Sequence, residues 1–186
     1  MDNERYVLVN AGKGRALQWT REPLPQPEPG EVRVKLLAAG VAYSDFMRLR
    51  GVYDGGGKIP YTPGWDLAGV VDAVGAGVAA WQAGQSVVAL TVTGNFTRYR
   101  TLAAEELIAM PPAVDPAAAV SLGLNYVTAY QMLHRLAKAK AGETVLVHGA
   151  AGGVGTAALQ LGRIAGLKMY GVASKGRLAT VTAEGA

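Results

Sequence analysis

The glycine-rich segment after residue 148 contains the residue types that bind phosphate groups. Residues 144–148 are rich in β-branched side chains and predict a strand, which leads directly into glycines at positions 149, 152 and 155. Apolar residues at helical spacing follow and predict an amphipathic helix. Glycine lets the backbone approach phosphates, and a helix N-terminus supplies N–H groups and partial positive charge. This order predicts a dinucleotide pyrophosphate site formed by the backbone of Gly149, Ala151, Gly152, Gly153, Val154 and Gly155.

The end of the next predicted strand, residues 169–173, indicates which dinucleotide would bind. An acidic residue about twenty positions after the glycines would bind the ribose 2′-hydroxyl of NAD. This chain has Ser174, Lys175 and Arg177 there instead, and no acid before Glu184. A hydroxyl and two cations suit a 2′-phosphate, so the sequence predicts NADP(H) as the cofactor. The alternative is an ordinary basic surface loop.

The composition excludes several kinds of site. The chain has no cysteine, which excludes disulfides, thiolate catalysis and cysteine-ligated zinc. Its two histidines, His134 and His148, lie too far apart in sequence for a metal signature, so we interpret both as structural and predict no metal site. The net charge of +4 is scattered and predicts no nucleic-acid partner. Without a signal core or a membrane-length apolar run, the default expectation is a soluble cytoplasmic protein without a membrane partner.

The first part of the chain predicts a mostly β domain. In residues 31–38 apolar and charged side chains alternate, which is typical of a half-buried strand. Ser44 is predicted to cap a short helix that ends at Gly51. Residues 54–57 predict a flexible loop, and the prolines of 23–30 an extended one. The other predicted strands cover residues 5–10, 67–74, 85–92, 96–101 and 107–110.

The second part alternates helices and strands, so the chain as a whole is assigned to the α/β class. Asp115 and Pro116 predict a helix start, and a separate, longer helix is expected over residues 125–139. A last helix is predicted over 177–184. We place the domain boundary so that residues 1–122 form one domain and residues 123–186 the other.

Five segments in this order resemble the zinc-independent branch of the medium-chain dehydrogenase/reductase superfamily, the quinone oxidoreductase and enoyl reductase group. They are residues 40–45, 50–53, 60–71, 125–130 and 148–155. The resemblance implies a GroES-like catalytic and substrate domain, followed by a Rossmann domain, to which the residues after the second strand assign NADP. Zinc-dependent relatives carry Gly-His-Glu where this chain has Gly64, Trp65 and Asp66. Ala42 departs from the asparagine that is usual in the family.

The resemblance also implies site residues. Tyr53 would lie near the substrate and is the first candidate for a catalytic hydrogen-bond donor, with Tyr43 second. Asn125 and Thr128 match positions near the nicotinamide. The structural alternatives are tyrosines that hydrogen-bond to the backbone, and an Asn and a Thr that cap a helix beginning there. Asp45 is expected to cap or orient the short helix.

These features predict an NADPH-dependent oxidoreductase that transfers hydride to a quinone or an α,β-unsaturated carbonyl without zinc. The alternative is a non-catalytic fragment that binds a nucleotide or a partner. Because the resemblance implies a longer chain, we expect a Rossmann domain truncated at residue 186, with only two of about six strands. Two parallel strands would leave bare apolar faces, so the chain alone is expected to be poorly stable or to form a homo-oligomer.

Overall fold

The computed structural model describes residues 2–12, 17–53 and 58–186. The predicted loop at 54–57 lies outside the described residues. The chain divides into two compact units, Met1–Gly123 (unit 1) and Leu124–Ala186 (unit 2). No helix within the described ranges is long and apolar enough to cross a membrane.

Unit 1 is built from two antiparallel sheets. Strands β1 (Asp2–Leu8) and β2 (Leu17–Pro23) pair with each other, and the sequence did not predict β2. The other five strands are β3 (Glu31–Ala39), β4 (Asp66–Val74), β5 (Ser86–Leu90), β6 (Tyr99–Ala103) and β7 (Ile108–Ala109). They form a second sheet in the order β6-β3-β4-β5-β7.

The alternation predicted for β3 is confirmed and explains the core of unit 1. Val32 and Val34 are fully buried, whereas the charged side chains between and beside them are on the other face. In β4 a nearly continuous run is buried because its residues pack into two clusters: Leu67 and Val71 belong to the main core cluster, and Ala68 packs in a second cluster with Met110, Ala119 and Val120. The core cluster contains Val32, Val34, Leu67, Val71, Val87, Ala89, Leu102 and Leu107.

Helix α1 (Tyr43–Leu49) has Ala42 as its N-cap, so the prediction of Ser44 as the cap is wrong. The carboxylate of Asp45 accepts a hydrogen bond from the Ala42 N–H at 3.0 Å. A carboxylate at the third helical position can reach back to the N-cap amide, and this fixes the start of the helix two residues earlier than a cap at Ser44 would. The expectation that Asp45 orients this helix is confirmed.

Helix α2 (Pro116–Tyr130) begins as predicted, because Asp115 Oδ1 accepts the Ala118 N–H at 2.9 Å. It then continues without a break into a π-helical segment, Gln131–Leu136. The prediction of a separate helix beginning at residue 125 is therefore wrong. Gly123 lies within α2. A Cβ at this position would lie 2.7 Å from Oδ2 of the buried Asp66, so close packing explains the glycine.

Unit 2 contains a two-stranded parallel sheet formed by β8 (Thr144–His148) and β9 (Lys168–Val172). Helix α3 (Gly153–Ile164) connects the two strands, and α4 (Leu178–Ala183) follows a short 3-10 turn, Lys175–Arg177. The predicted amphipathic helix is confirmed, since α3 buries Ala157, Ala158 and Leu159 in the core of this unit.

Candidate functional site

The turn after β8 is held in a tight conformation. Gly149 has a φ of +67°, in the left-handed region that favours glycine. Its carbonyl accepts a hydrogen bond from the Gly152 N–H at 2.9 Å. The Ala150 N–H donates to the Val172 carbonyl at 3.0 Å, which joins the turn to the end of β9. The backbone of the turn is thus fixed before any ligand binds.

The N-terminus of α3 packs directly on this turn. A Cβ on Gly155 would lie 2.4 Å from the Gly149 carbonyl oxygen, so only glycine allows this approach. Gly152 is the N-cap and supplies no side-chain acceptor. The first N–H groups of a helix lack intrahelical partners and bind anions well. A groove of about 420 Å³ runs beside them, lined by His148, Gly149, Gly152, Gly153, Val154, Gly155 and apolar side chains. This geometry can bind an anion.

Asn125 lies against the same turn. A Cβ on Gly153 would lie 2.6 Å from Asn125 Nδ2, so the amide packs on the turn backbone. Thr128 is one helical turn further along α2 and half-buried. Because α2 is continuous through both positions, the alternative that Asn125 and Thr128 cap a helix is wrong. The structure thus brings Asn125 together with the predicted phosphate turn.

The predicted 2′-phosphate residues form an exposed turn at the end of β9. Ser174, Lys175 and Arg177 are all exposed, and the Arg177 N–H donates to the Ser174 carbonyl at 2.8 Å. Among the residues that the structure describes, neither cation forms an ion pair. The carboxylate of Glu184 accepts a hydrogen bond from Gln160 on α3. Glu184, the first acidic residue after β9, is thus hydrogen-bonded to α3.

The two candidate tyrosines of unit 1 have different surroundings. Tyr53 follows α1, is 40% exposed, and its ring centroid lies 5.5 Å from Cζ of Arg48. Tyr43 is 75% exposed and its ring centroid is 6.3 Å from that of Phe46. Within the described part of the chain, neither hydroxyl hydrogen-bonds to the backbone, so this alternative finds no support there. Tyr53 is the better enclosed of the two.

A buried ion pair that the sequence analysis missed lies beside Tyr53. The side chains of Asp45 and Arg48 are 2% and 1% exposed, and Oδ1 of Asp45 is 3.8 Å from Nη1 of Arg48. Arg48 Nη1 donates to the Val92 carbonyl at 2.9 Å. Its Cζ lies 4.1 Å from the ring centroid of Trp65. The sequence signal that could have identified this ion pair is the spacing: an acidic and a basic residue stand three positions apart on a predicted helix.

Burial has the largest influence on the pKa of the Asp45 carboxylate. Desolvation raises the pKa of Asp45 above its ordinary value of 3.8. Backbone N–H groups of Ala42 and Gly64, and the charge of Arg48, act in the opposite direction and lower it. Burial also raises the pKa of the Tyr61 hydroxyl, and Arg48 opposes that shift. The described ranges contain no group of three or more His, Asp or Glu residues arranged to hold a metal.

The chain is similar to a known protein family and to several curated proteins. The alcohol dehydrogenase GroES-like domain family matches residues 28–112. Quinone oxidoreductase from Lama guanicoe is 41% identical over 151 residues, which are 81% of this chain and 46% of that protein. The synaptic vesicle membrane protein VAT-1 homolog from Rattus norvegicus is also 41% identical, over 81% of this chain and 37% of that protein. The chain therefore spans about half the length, or less, of these curated relatives.

Solved structures show the same likeness over almost the whole chain. A human VAT-1 homolog-like protein superposes with a TM-score of 0.92 at 30% identity, covering 99% of this chain and 60% of that one. The CurK enoyl reductase gives 0.90 at 29% identity, over 98% and 57%. Mycobacterial Rv1454c complexed with NADPH gives 0.88 at 30% identity, over 99% and 56%. The chain belongs to the zinc-independent quinone oxidoreductase and enoyl reductase group of the medium-chain dehydrogenases/reductases.

Proposed function

We propose that this chain is the part of an NADPH-dependent oxidoreductase that binds the cofactor's pyrophosphate and provides the hydrogen-bond donor for a quinone or α,β-unsaturated carbonyl substrate. The observation that carries this proposal is the close packing of Gly155 on the Gly149 carbonyl, which presents the N-terminus of α3 to a groove. Relatives named quinone oxidoreductase and enoyl reductase support the reaction class.

The choice of NADPH rests on the exposed turn after β9. Ser174, Lys175 and Arg177 offer a hydroxyl and two cations to a 2′-phosphate. The relative solved in complex with NADPH supports the same choice. The residues proposed to hold the pyrophosphate and nicotinamide ends are Asn125, Thr128, Gly149, Ala151, Gly152, Gly153, Val154 and Gly155.

The proposed chemistry needs a hydrogen-bond donor in unit 1. NADPH, when bound, supplies the hydride. Negative charge then develops on the substrate oxygen, and the Tyr53 hydroxyl donates a hydrogen bond to it, which lowers the barrier. Tyr43 is the second candidate for this role, and its greater exposure makes it the weaker one.

A non-catalytic protein that binds a nucleotide or a partner is the second candidate function. It is favoured by the division of the chain, because the phosphate turn lies wholly in unit 2 and the proposed donor Tyr53 lies in unit 1. This alternative uses the same phosphate turn. It does not require the hydroxyl of Tyr53.

Two measurements on the chain separate these functions. Calorimetric titration with NADPH tests the phosphate turn, and NADPH oxidation with naphthoquinone or cyclohexenone as acceptor tests the reaction. Binding with oxidation is the expected result. Binding without oxidation by this chain or a longer form of it would favour the non-catalytic function, and no binding by either form would contradict both. Tyr53→Phe is expected to slow oxidation at unchanged NADPH affinity.

A further inference from the structure

The arginine of α1 lies against two aromatic rings although it is almost completely buried. Cζ of Arg48 is 4.1 Å from the ring centroid of Trp65 and 5.5 Å from that of Tyr53. Both distances are within the range in which a guanidinium is attracted to an aromatic ring, and the attraction is larger when the cation is desolvated. One guanidinium therefore contacts two rings that are twelve residues apart in sequence.

Polar contacts fix the guanidinium in this position. Arg48 donates to the Val92 carbonyl at 2.9 Å and faces the Asp45 carboxylate at 3.8 Å. Asp45 is itself fixed by the backbone N–H groups of Ala42 at 3.0 Å and Gly64 at 3.4 Å. The planar, forked shape of a guanidinium lets it stack and donate at the same time, which a lysine cannot do.

The two rings differ in how firmly their own backbone is held. The Trp65 carbonyl accepts the Thr91 N–H at 2.6 Å, and the preceding Gly64 carbonyl accepts Asn95 Nδ2 at 3.1 Å. Tyr53, in contrast, follows the end of α1 and is 40% exposed. Arg48 thus connects a firmly held ring to an exposed one.

We propose that Arg48 is a positioning residue that holds the rings of Tyr53 and Trp65 as one aromatic wall for a planar conjugated acceptor. This inference rests on the proposed function, because it concerns the acceptor site around the proposed donor Tyr53. A wall of two aromatic rings favours flat acceptors that stack on it over small aliphatic enones. The predicted consequence is acceptor specificity, which Arg48 sets without touching the substrate.

The test compares naphthoquinone with cyclohexenone in the NADPH oxidation assay. Arg48→Met removes the charge and the planar group, and Arg48→Lys keeps only the charge. Arg50→Met is the matched control, because Arg50 is exposed and stacks on a different ring, that of Phe46, at 4.4 Å. We expect Arg48→Met to lower the ratio of kcat/KM for naphthoquinone to that for cyclohexenone about tenfold, mainly through KM for naphthoquinone. Arg48→Lys is expected to recover part of the ratio, and Arg50→Met to leave it unchanged. Equal loss for both acceptors would show a merely structural role and overturn the proposal.

If Arg48→Met does not fold, a second pair of variants tests the proposed aromatic wall. Tyr53→Phe keeps the ring and Tyr53→Leu removes it, and neither changes the buried ion pair. Only Tyr53→Leu is expected to raise KM for naphthoquinone, because the wall needs the ring and not the hydroxyl. Equal KM values in the two variants would contradict the wall.

Direct binding separates this inference from a failure of the proposed function. Naphthoquinone is titrated without NADPH into a chain carrying Trp19→Phe and Trp81→Phe, so that quenching reports on Trp65 alone. The chain has no thiol that could react with the quinone. Weaker quenching at each concentration in the Arg48→Met background supports the wall even if no NADPH is oxidised. Equal affinity with and without Arg48, or no binding by the chain that retains Arg48, would overturn it.

Discussion

The sheets of the two units are buried to different degrees. In the five-stranded antiparallel sheet of unit 1, Val32, Leu67 and Val87 have no exposed surface. In the two-stranded parallel sheet of unit 2, Leu146 and Tyr170 are 58% and 60% exposed. Parallel sheets are normally covered on both faces, because their crossover connections place helices there. The difference indicates that unit 2 gains much less stability from burying its sheet than unit 1 does.

The less buried sheet carries the proposed phosphate turn. A ligand that binds only the folded state stabilises it by mass action, so NADPH is expected to stabilise unit 2 more than unit 1. Unit 1, whose sheet is more deeply buried, contains the proposed donor Tyr53 and the buried ion pair of Asp45 and Arg48.

The largest expected effect comes from a matched pair of leucine substitutions. Leu67→Ala in β4 removes a fully buried side chain and is expected to cost about 2–5 kcal/mol of unfolding free energy. Leu146→Ala in β8 is expected to change it by less than about 0.5 kcal/mol. Hydrogen exchange of peptides covering β4 and β8 measures each effect in its own unit. Equal costs would contradict the comparison and would favour self-association that covers Leu146.

A second prediction concerns the turn itself. Gly155→Ala places a Cβ against the Gly149 carbonyl, and because that atom is backbone, the turn must shift. We expect NADPH affinity to fall at least about tenfold, with little change in the exchange rates of unit 1. Gly176→Ala is the control, since no atom lies within 4 Å of a Cβ there. Full NADPH affinity in Gly155→Ala would show that the packing of Gly155 on the Gly149 carbonyl is not needed for binding, which contradicts the basis of the proposed function.

A smaller effect is expected at the end of β9. The double substitution Lys175→Ala and Arg177→Ala removes the two exposed cations and is expected to lower the preference for NADPH over NADH about tenfold. Lys168→Ala, at the opposite end of the same strand, is the control for general electrostatic attraction. Calorimetric titration of both cofactors gives the ratio. An unchanged ratio of NADPH affinity to NADH affinity would support the alternative that this segment is an ordinary basic surface loop.

Local patterns predicted some elements, and long-range contacts decided the others. The alternation of β3 and the glycines after β8 depend on neighbouring residues, so the sequence predicts them. Strand β2 was missed because its half-exposed residues become a strand only by pairing with β1. The contact of Arg48 with Tyr53 and Trp65 depends on tertiary packing, which no sequence spacing shows.

The smallest expected effect is the pH dependence of the buried carboxylate in unit 1. Because burial raises the pKa of Asp45, the folded state binds its proton more tightly than the unfolded state does. The contribution of Asp45 to stability is therefore present at pH values below 3.8 and is lost as the pH rises from there through the raised pKa. A carbon-detected NMR titration of the carboxyl group is expected to give a midpoint above 3.8. The amide that Asp45→Asn introduces does not titrate, so the unfolding free energy of that variant should lack this slope. A midpoint at or below 3.8 would show that Arg48 and the two backbone N–H groups outweigh the desolvation of the carboxylate.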